Sequence, residues 1–251
     1  ISGTCAAGMP MYSASKTTGV NVKADIDLSA NDLLRVGALY QSYTLNDWWT
    51  PSGAMMWPNT FVNVNDGQRN RAGVFAEWES RLTRQLTTLL GARYERVETN
   101  TGPVSAYDNT IAPATTLVPA FNSKDRQRAD NNLDVTALAR YTASNTSDVE
   151  FGFARKVRSP RLYERYSWSR RGMEMLMINW VGDGNGYIGD INLKPEKAHT
   201  LSATFDWHAA DRSWEVKATP FYTHVTDYID AVRCPTSLGC ACSVANLSGG
   251  N

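Results

Sequence analysis

The rhythm of its connections most restricts what this chain can fold into. Val20, Val22, Ala24, Ile26 and Leu28 alternate with Asn21, Lys23, Asp25 and Asp27, a period of two that gives a strand one apolar and one polar face. A four-residue turn leads into Leu34, Val36, Ala38 and Tyr40, which keep the same period. Residues 47–68 then lose the pattern amid prolines, glycines and asparagines, too long a stretch for a tight turn. The cycle repeats: Ala72 to Trp78, a short connection, Leu90 to Tyr94, then a long polar stretch over residues 100–130. Leu133 to Tyr141, a short turn, and Val149 to Phe153 follow, then a third long stretch over residues 159–195. Leu201 to Trp207 and a final strand from Trp214 to Asp230 complete the series, with unstructured sequence expected at both ends.

Short and long connections sorted by parity are the signature of a transmembrane β-barrel, whose turns are short on one side of the membrane and whose loops are long on the other. A soluble sandwich has no reason to sort its loops. The apolar runs are only a few residues long, far below the roughly 20 that a membrane-crossing helix requires. The 25 basic and 25 acidic residues balance to a net charge of zero, without the basic excess of a nucleic-acid binder. The fold class is therefore all-β, an antiparallel transmembrane barrel segment of about eight strands, with residues 1–251 as one partial barrel domain. Open edges would leave backbone groups unpaired in lipid, so these strands belong to a larger barrel. Tyr40, Tyr43, Trp48 and Trp49 at one strand end, and Trp207 and Trp214 beside a short turn, occupy places suited to interfacial aromatic girdles.

Two motifs narrow the reading. The run FGFARKVRSPRLYERY over residues 151–166, followed by NLKPEK over residues 192–197, resembles the barrel of TonB-dependent outer-membrane receptors. That resemblance implies a barrel of about 22 strands enclosing a plug, residence in the bacterial outer membrane among its lipids, coupling to the TonB complex through the plug, and a transport function without enzymatic activity. The plug and the TonB-contacting segment fall outside these residues. Ile1 to Cys5 lacks the charged and apolar regions of a secretory leader, so a processed or internal start is expected.

The methionine-bearing stretch over residues 173–190 looks most like the copper-receptor branch. All seven methionines lie in expected loops, and thioethers are soft donors suited to Cu(I). In an extended segment, Met-x-Met spacing turns both sulfurs to one side, which makes Met9 with Met11, and Met173 with Met175 and Met177, candidate copper ligands, with Cys5 adding a thiolate. Methionine also fills irregular apolar gaps. His199, His208 and His224 read as hydrogen-bonded lumen residues, and Arg155, Arg158, Arg161 and Glu164 as ion pairs at a strand mouth. Cys234, Cys240 and Cys242 fit an oxidising compartment, with the pairing of the four cysteines open. Copper or a metal chelate is thus the expected cargo. A receptor for siderophore iron or cobalamin, using Trp48, Trp49, Trp57, Trp168 and Trp180, is the alternative. From another class, a soluble β-rich carbohydrate-binding module would use exposed tryptophans as stacking platforms.

Overall fold

A computed structural model describes residues 11–51, 58–170, 172–178, 186–233 and 242–247. In chain order the elements are β1 (Met11–Asp27), β2 (Asp32–Trp49), β3 (Phe61–Arg81), β4 (Leu86–Asn100), α1 (Ala114–Asn122), β5 (Arg128–Ser144), β6 (Ser147–Arg158), α2 (Leu162–Tyr166) and α3 (Gly172–Met177). After these come β7 (Tyr187–Ile188), β8 (Glu196–His208), β9 (Glu215–Ala218), β10 (Phe221–Thr226), β11 (Tyr228–Arg233) and β12 (Cys242–Leu247). The main sheet is an antiparallel meander in the order β1-β2-β3-β4-β5-β6-β8-β10, with β9 also paired to β8. β9 and β10 are two halves of the expected last strand, one on the turn-side end of β8 and one on its opposite end. The sequence between them contains Pro220, which has no amide proton to give to a ladder. A small second sheet, β11-β12-β7, lies beside the main one.

The strands run further than the sequence pattern suggested. β2 continues to Trp49 and β3 begins at Phe61, so the first long loop shrinks from the expected residues 47–68 to residues 50–60. The reason is a reversal of polarity along the strands. In β2 the outward positions are Leu34, Val36, Ala38 and Tyr40, and then Ser42, Thr44 and Asn46; the inward positions are Arg35, Gly37, Leu39 and Gln41, and then Tyr43, Leu45, Asp47 and Trp49. The lower half is apolar outside and mainly polar inside, whereas the upper half is largely the opposite. A pattern that changes phase midway resembles the end of a strand, although the backbone continues.

The lower outward face forms a band of exposed apolar side chains, including Val22, Val74, Trp78, Leu90, Tyr94, Leu133, Phe151 and Leu201. A shallow apolar groove of about 940 Å³ crosses it, lined in part by Trp78, Leu90, Phe153, Leu201 and Tyr222. No described helix is long and apolar enough to cross a membrane; the strands carry the apolar face. Inside, the same level carries ion pairs among a few apolar side chains such as Leu39 and Phe75. Arg35 bridges Glu77 and Glu79, each at 2.8 Å, and Arg140 pairs with Asp148 at 3.0 Å.

The expected girdle is only partly present. Tyr40, Trp207 and Trp214 are exposed, but Trp49 points inward and is buried, and Tyr43 packs against the same core. Trp48 faces outward and stacks on Tyr12 at 5.7 Å.

Candidate ligand vestibule

Above the band, the inward side chains of β2 and β3 and the long connections build a core of their own. Leu45, Trp49, Phe61 and Val64 from the wall pack with Tyr107, Phe121, Leu162, Tyr166, Trp168 and Ile178 from the connections. Phe61 lies at the centre, with ring centroids 5.3 Å from Trp49, 5.8 Å from Tyr107 and 5.6 Å from Trp168. The bend that admits these groups is written in β3, where the pairing with β2 shifts register beside Asp47 and Asp66 adopts a positive φ of 46°. At the neighbouring Gly67 a Cβ would stand 2.4 Å from Val64, so only glycine fits there.

The segment bearing the first sequence motif folds onto this inner wall. Glu164 accepts the Arg161 amide at 2.8 Å, which caps α2. Both Glu164 oxygens take Arg158 Nη1 at 3.0 Å, and Arg158 also pairs with Glu196 of the second motif. Burial works against charge on Arg158, but its bonds to Glu196 and Glu164 outweigh that and raise its pKa. Arg165, 1% exposed, bonds both oxygens of Asp130 at 2.8 and 2.9 Å, Thr99 at 2.7 Å and the Leu193 carbonyl at 3.0 Å. The Tyr166 hydroxyl donates to the Arg126 carbonyl at 2.7 Å, and Trp168 Nε1 donates to the Val62 carbonyl at 3.0 Å. Arg158, Glu164, Arg165 and Tyr166 of the motif are thus used to fasten a connection to the wall.

Asp47 stands out in this core because it is fully buried and, among the described residues, has no basic partner. Asn63 Nδ2 donates to its Oδ2 at 2.9 Å, while Asp47 Oδ1 and Asn63 Oδ1 both lack hydrogen-bond partners. Burial pushes the Asp47 carboxyl up from its ordinary value. Burial likewise raises the pKa of Tyr163, helped by the nearby charge of Asp47, and pushes Tyr107 up to about 12.

A cavity of about 760 Å³ opens among the connections, bordered by Phe121, Trp168, Lys124, Arg128, Arg170 and Asp190. Arg128 is held by Asn192 at 3.1 Å and Asp125 at 3.5 Å. The cavity therefore offers aromatic walls beside several cations. These basic residues did not emerge as a site from the sequence; the signal was there in SKDRQR over residues 123–128 and in Arg170 beside Trp168.

The candidate copper ligands do not assemble as expected. Residues 172–177 form α3 rather than an extended segment, and a helix places residues two apart on different faces. Met175 is 4% exposed and packs with Ile188; Met177 is half-buried against the aromatic core. Both sulfurs fill apolar gaps, which suits a flexible thioether. Met11 is exposed at the start of β1. Met9, Cys5 and the methionines at 55 and 56 lie outside the described residues, as do Cys234, Cys240, Trp57 and Trp180. Met173 belongs to α3, and Cys242 to β12. Among the described residues no three His, Cys, Asp or Glu side chains form a metal-binding group.

The histidines divide. His208 faces inward and is buried, with Nε2 3.6 Å from Asp148, as a lumen residue should be. His199 and His224 pair with each other across β8 and β10, and His199 also pairs with Arg155 of β6. All three lie on the outward phase of Phe153, Leu201 and Tyr222, so the lumen expectation for His199 and His224, and the strand-mouth ion pair expected of Arg155, are corrected.

The model for the β-barrel of TonB-dependent receptor-like proteins matches residues 7–250. The chain belongs to that family. Among solved structures it is similar to the copper transporter OprC, at 16% identity and a TM-score of 0.68 over 94% of this chain and 33% of that one. The FrpB iron transporter from Neisseria meningitidis follows at 15% identity and 0.60, over 93% of this chain and 31% of that one. The siderophore receptor PirA from Pseudomonas aeruginosa gives 16% and 0.58, over 94% and 35%. No curated protein sequence matches. The chain spans about a third of the length of these TonB-dependent receptors, and identities this low show the shared barrel fold alone. Together they show a TonB-dependent receptor fold whose structural neighbours handle copper, iron and siderophores.

Proposed function

We propose that this chain forms part of the wall and outer vestibule of an outer-membrane active transporter for a metal, with the plug and the remaining strands supplied elsewhere in the protein and energy supplied through the TonB complex. One observation carries the reading. Single strands reverse polarity along their length, apolar outward in one half and apolar inward in the other, which suits a wall that crosses lipid and then encloses a structured vestibule.

Copper is the cargo that the methionine set favours, with Met9, Met11, Met173, Met175, Met177 and Cys5 as its proposed ligands. The packing of Met175 and Met177 means that capture by α3 requires the helix to move from its place. In the full-length protein, replacing Met173, Met175 and Met177 with leucine removes the sulfurs while keeping apolar bulk. Copper accumulation is expected to fall several-fold, and accumulation equal to the parent would remove α3 from the transport path.

A second reading has its own support. The cavity lined by Lys124, Arg128, Arg170, Phe121 and Trp168 matches an anionic metal chelate, since guanidinium groups bind carboxylates in a fork and aromatic faces cover flat ligands. Arg170→Ala should then weaken binding of a ferric carboxylate chelate and leave uptake of free copper unchanged.

A further inference from the structure

We propose that the outward face of β6, β8 and β10 holds a lipid, with its phosphate on Arg155, His199 and His224 and an acyl chain in the apolar groove below. The register places these three residues directly opposite one another on adjacent strands, and strands lie about 4.8 Å apart. Three nitrogen donors therefore span roughly 10 Å on one face, within reach of a single phosphate. Two residues down each strand, on the same face, stand Phe153, Leu201 and Tyr222, all part of the lining of the 940 Å³ groove.

The arrangement has the order of a lipid molecule, with a polar head above and a chain below. Arg155 is already oriented: its Nη1 donates to the Leu133 carbonyl, in a gap that opens because β5 and β6 cease pairing beyond Val135 and Arg155. The other guanidinium N–H groups remain for a ligand. An imidazole supplies an N–H donor in either protonation state. Two carboxylates above this level are committed elsewhere, Asp227 to Lys197 at 2.9 Å and Glu98 to Arg96 at 2.8 Å, so neither neutralises the patch. Charge-assisted bonds to phosphate are the strong class. The patch borders the loop-rich end, which in such barrels is the external side, so the head group is that of an outer-leaflet lipid.

The inference rests on the apolar band facing lipid, and the test separates the two. The full-length protein in detergent is mixed with diphosphoryl lipid A or its dephosphorylated form, and bound lipid is counted by native mass spectrometry. The parent is expected to favour the diphosphoryl form by about tenfold, or 1.4 kcal/mol, and the triple variant Arg155→Ala, His199→Ala, His224→Ala to bind both forms alike. Arg155→Glu alone should also abolish the preference, whereas inward-facing Arg140→Ala should keep it. An undiminished preference in the triple variant and in Arg155→Glu overturns the site. Displacement of the lipid by millimolar inorganic phosphate would assign the patch to a free anion and overturn the lipid reading. Failure of the parent to enter lipid vesicles at all would instead sink the membrane reading beneath it.

Discussion

The two halves of the same strands obey opposite rules. In the lower half the inner face carries charged pairs such as Arg35 with Glu77, while an apolar band stands exposed on the outside. In the upper half, Leu45, Trp49, Phe61 and Val64 turn inward and join residues from two connections. The difference teaches that this is one continuous wall serving two solvents. Below, packing energy comes from the lipid; above, it comes from the protein's own core.

The contrast breaks most severely if the outer core is essential to the barrel. Arg165→Ala leaves Asp130 buried without its partner, at an expected cost of about 3–5 kcal/mol. Hydrogen exchange should speed up over residues 128–132 and 159–170 while the lower strands keep their protection. Loss of protection along the whole of β4 and β5 would show that the halves are one cooperative unit. On the lower side, Leu90→Arg puts a charge in the apolar band and should reduce folding into vesicles by about 2–4 kcal/mol, measured by denaturant titration of the full-length protein. The outer aromatic core should be unaffected once the barrel has formed.

A smaller effect sharpens the comparison through pH. Asp47 lies above the apolar band, and burial raises its folded-state pKa above its ordinary value. The folded protein therefore keeps this proton to a higher pH than the unfolded chain does. Stability from this group is fullest below the unfolded pKa and declines as pH rises through the folded one. Asp47→Asn should abolish that decline, and its new amide can donate to the orphaned Asn63 Oδ1. A gain of about 1–2 kcal/mol is expected at pH 7 and none near pH 3, read from thermal melts at the two pH values. The least effect is expected at Arg96, whose pair with Glu98 is about half exposed on both sides. Arg96→Ala should change stability by no more than about 0.5 kcal/mol.

The lower half was legible from sequence because one rule holds along it. Val20 to Leu28, Leu34 to Tyr40 and Leu133 to Tyr141 each keep a single apolar phase, and those strands were placed correctly. The upper half was not, because Tyr43, Leu45 and Trp49 take the opposite phase from Leu34 to Tyr40, so period two read as loss of pattern. Family motifs at residues 151–166 and 192–197 were plain, and Arg158, Glu164, Arg165, Tyr166 and Glu196 within them mark the fastening of a connection. For Met173, Met175 and Met177 the spacing suits an extended chain, whereas α3 is helical. His199 and His224 show the same weakness, since alternation separates two faces but does not say which one turns toward water.

The height of the upper wall has one more consequence. β2 continues nine residues past Tyr40, which at roughly 3.3 Å per residue lifts its tip about 30 Å along the strand. The aromatic core and the cationic cavity thus stand on a parapet clear of the bilayer surface, open to the surrounding medium. On intact cells, a bulky water-borne protease or label that cannot cross the envelope should reach this storey while leaving the turns at the other end untouched.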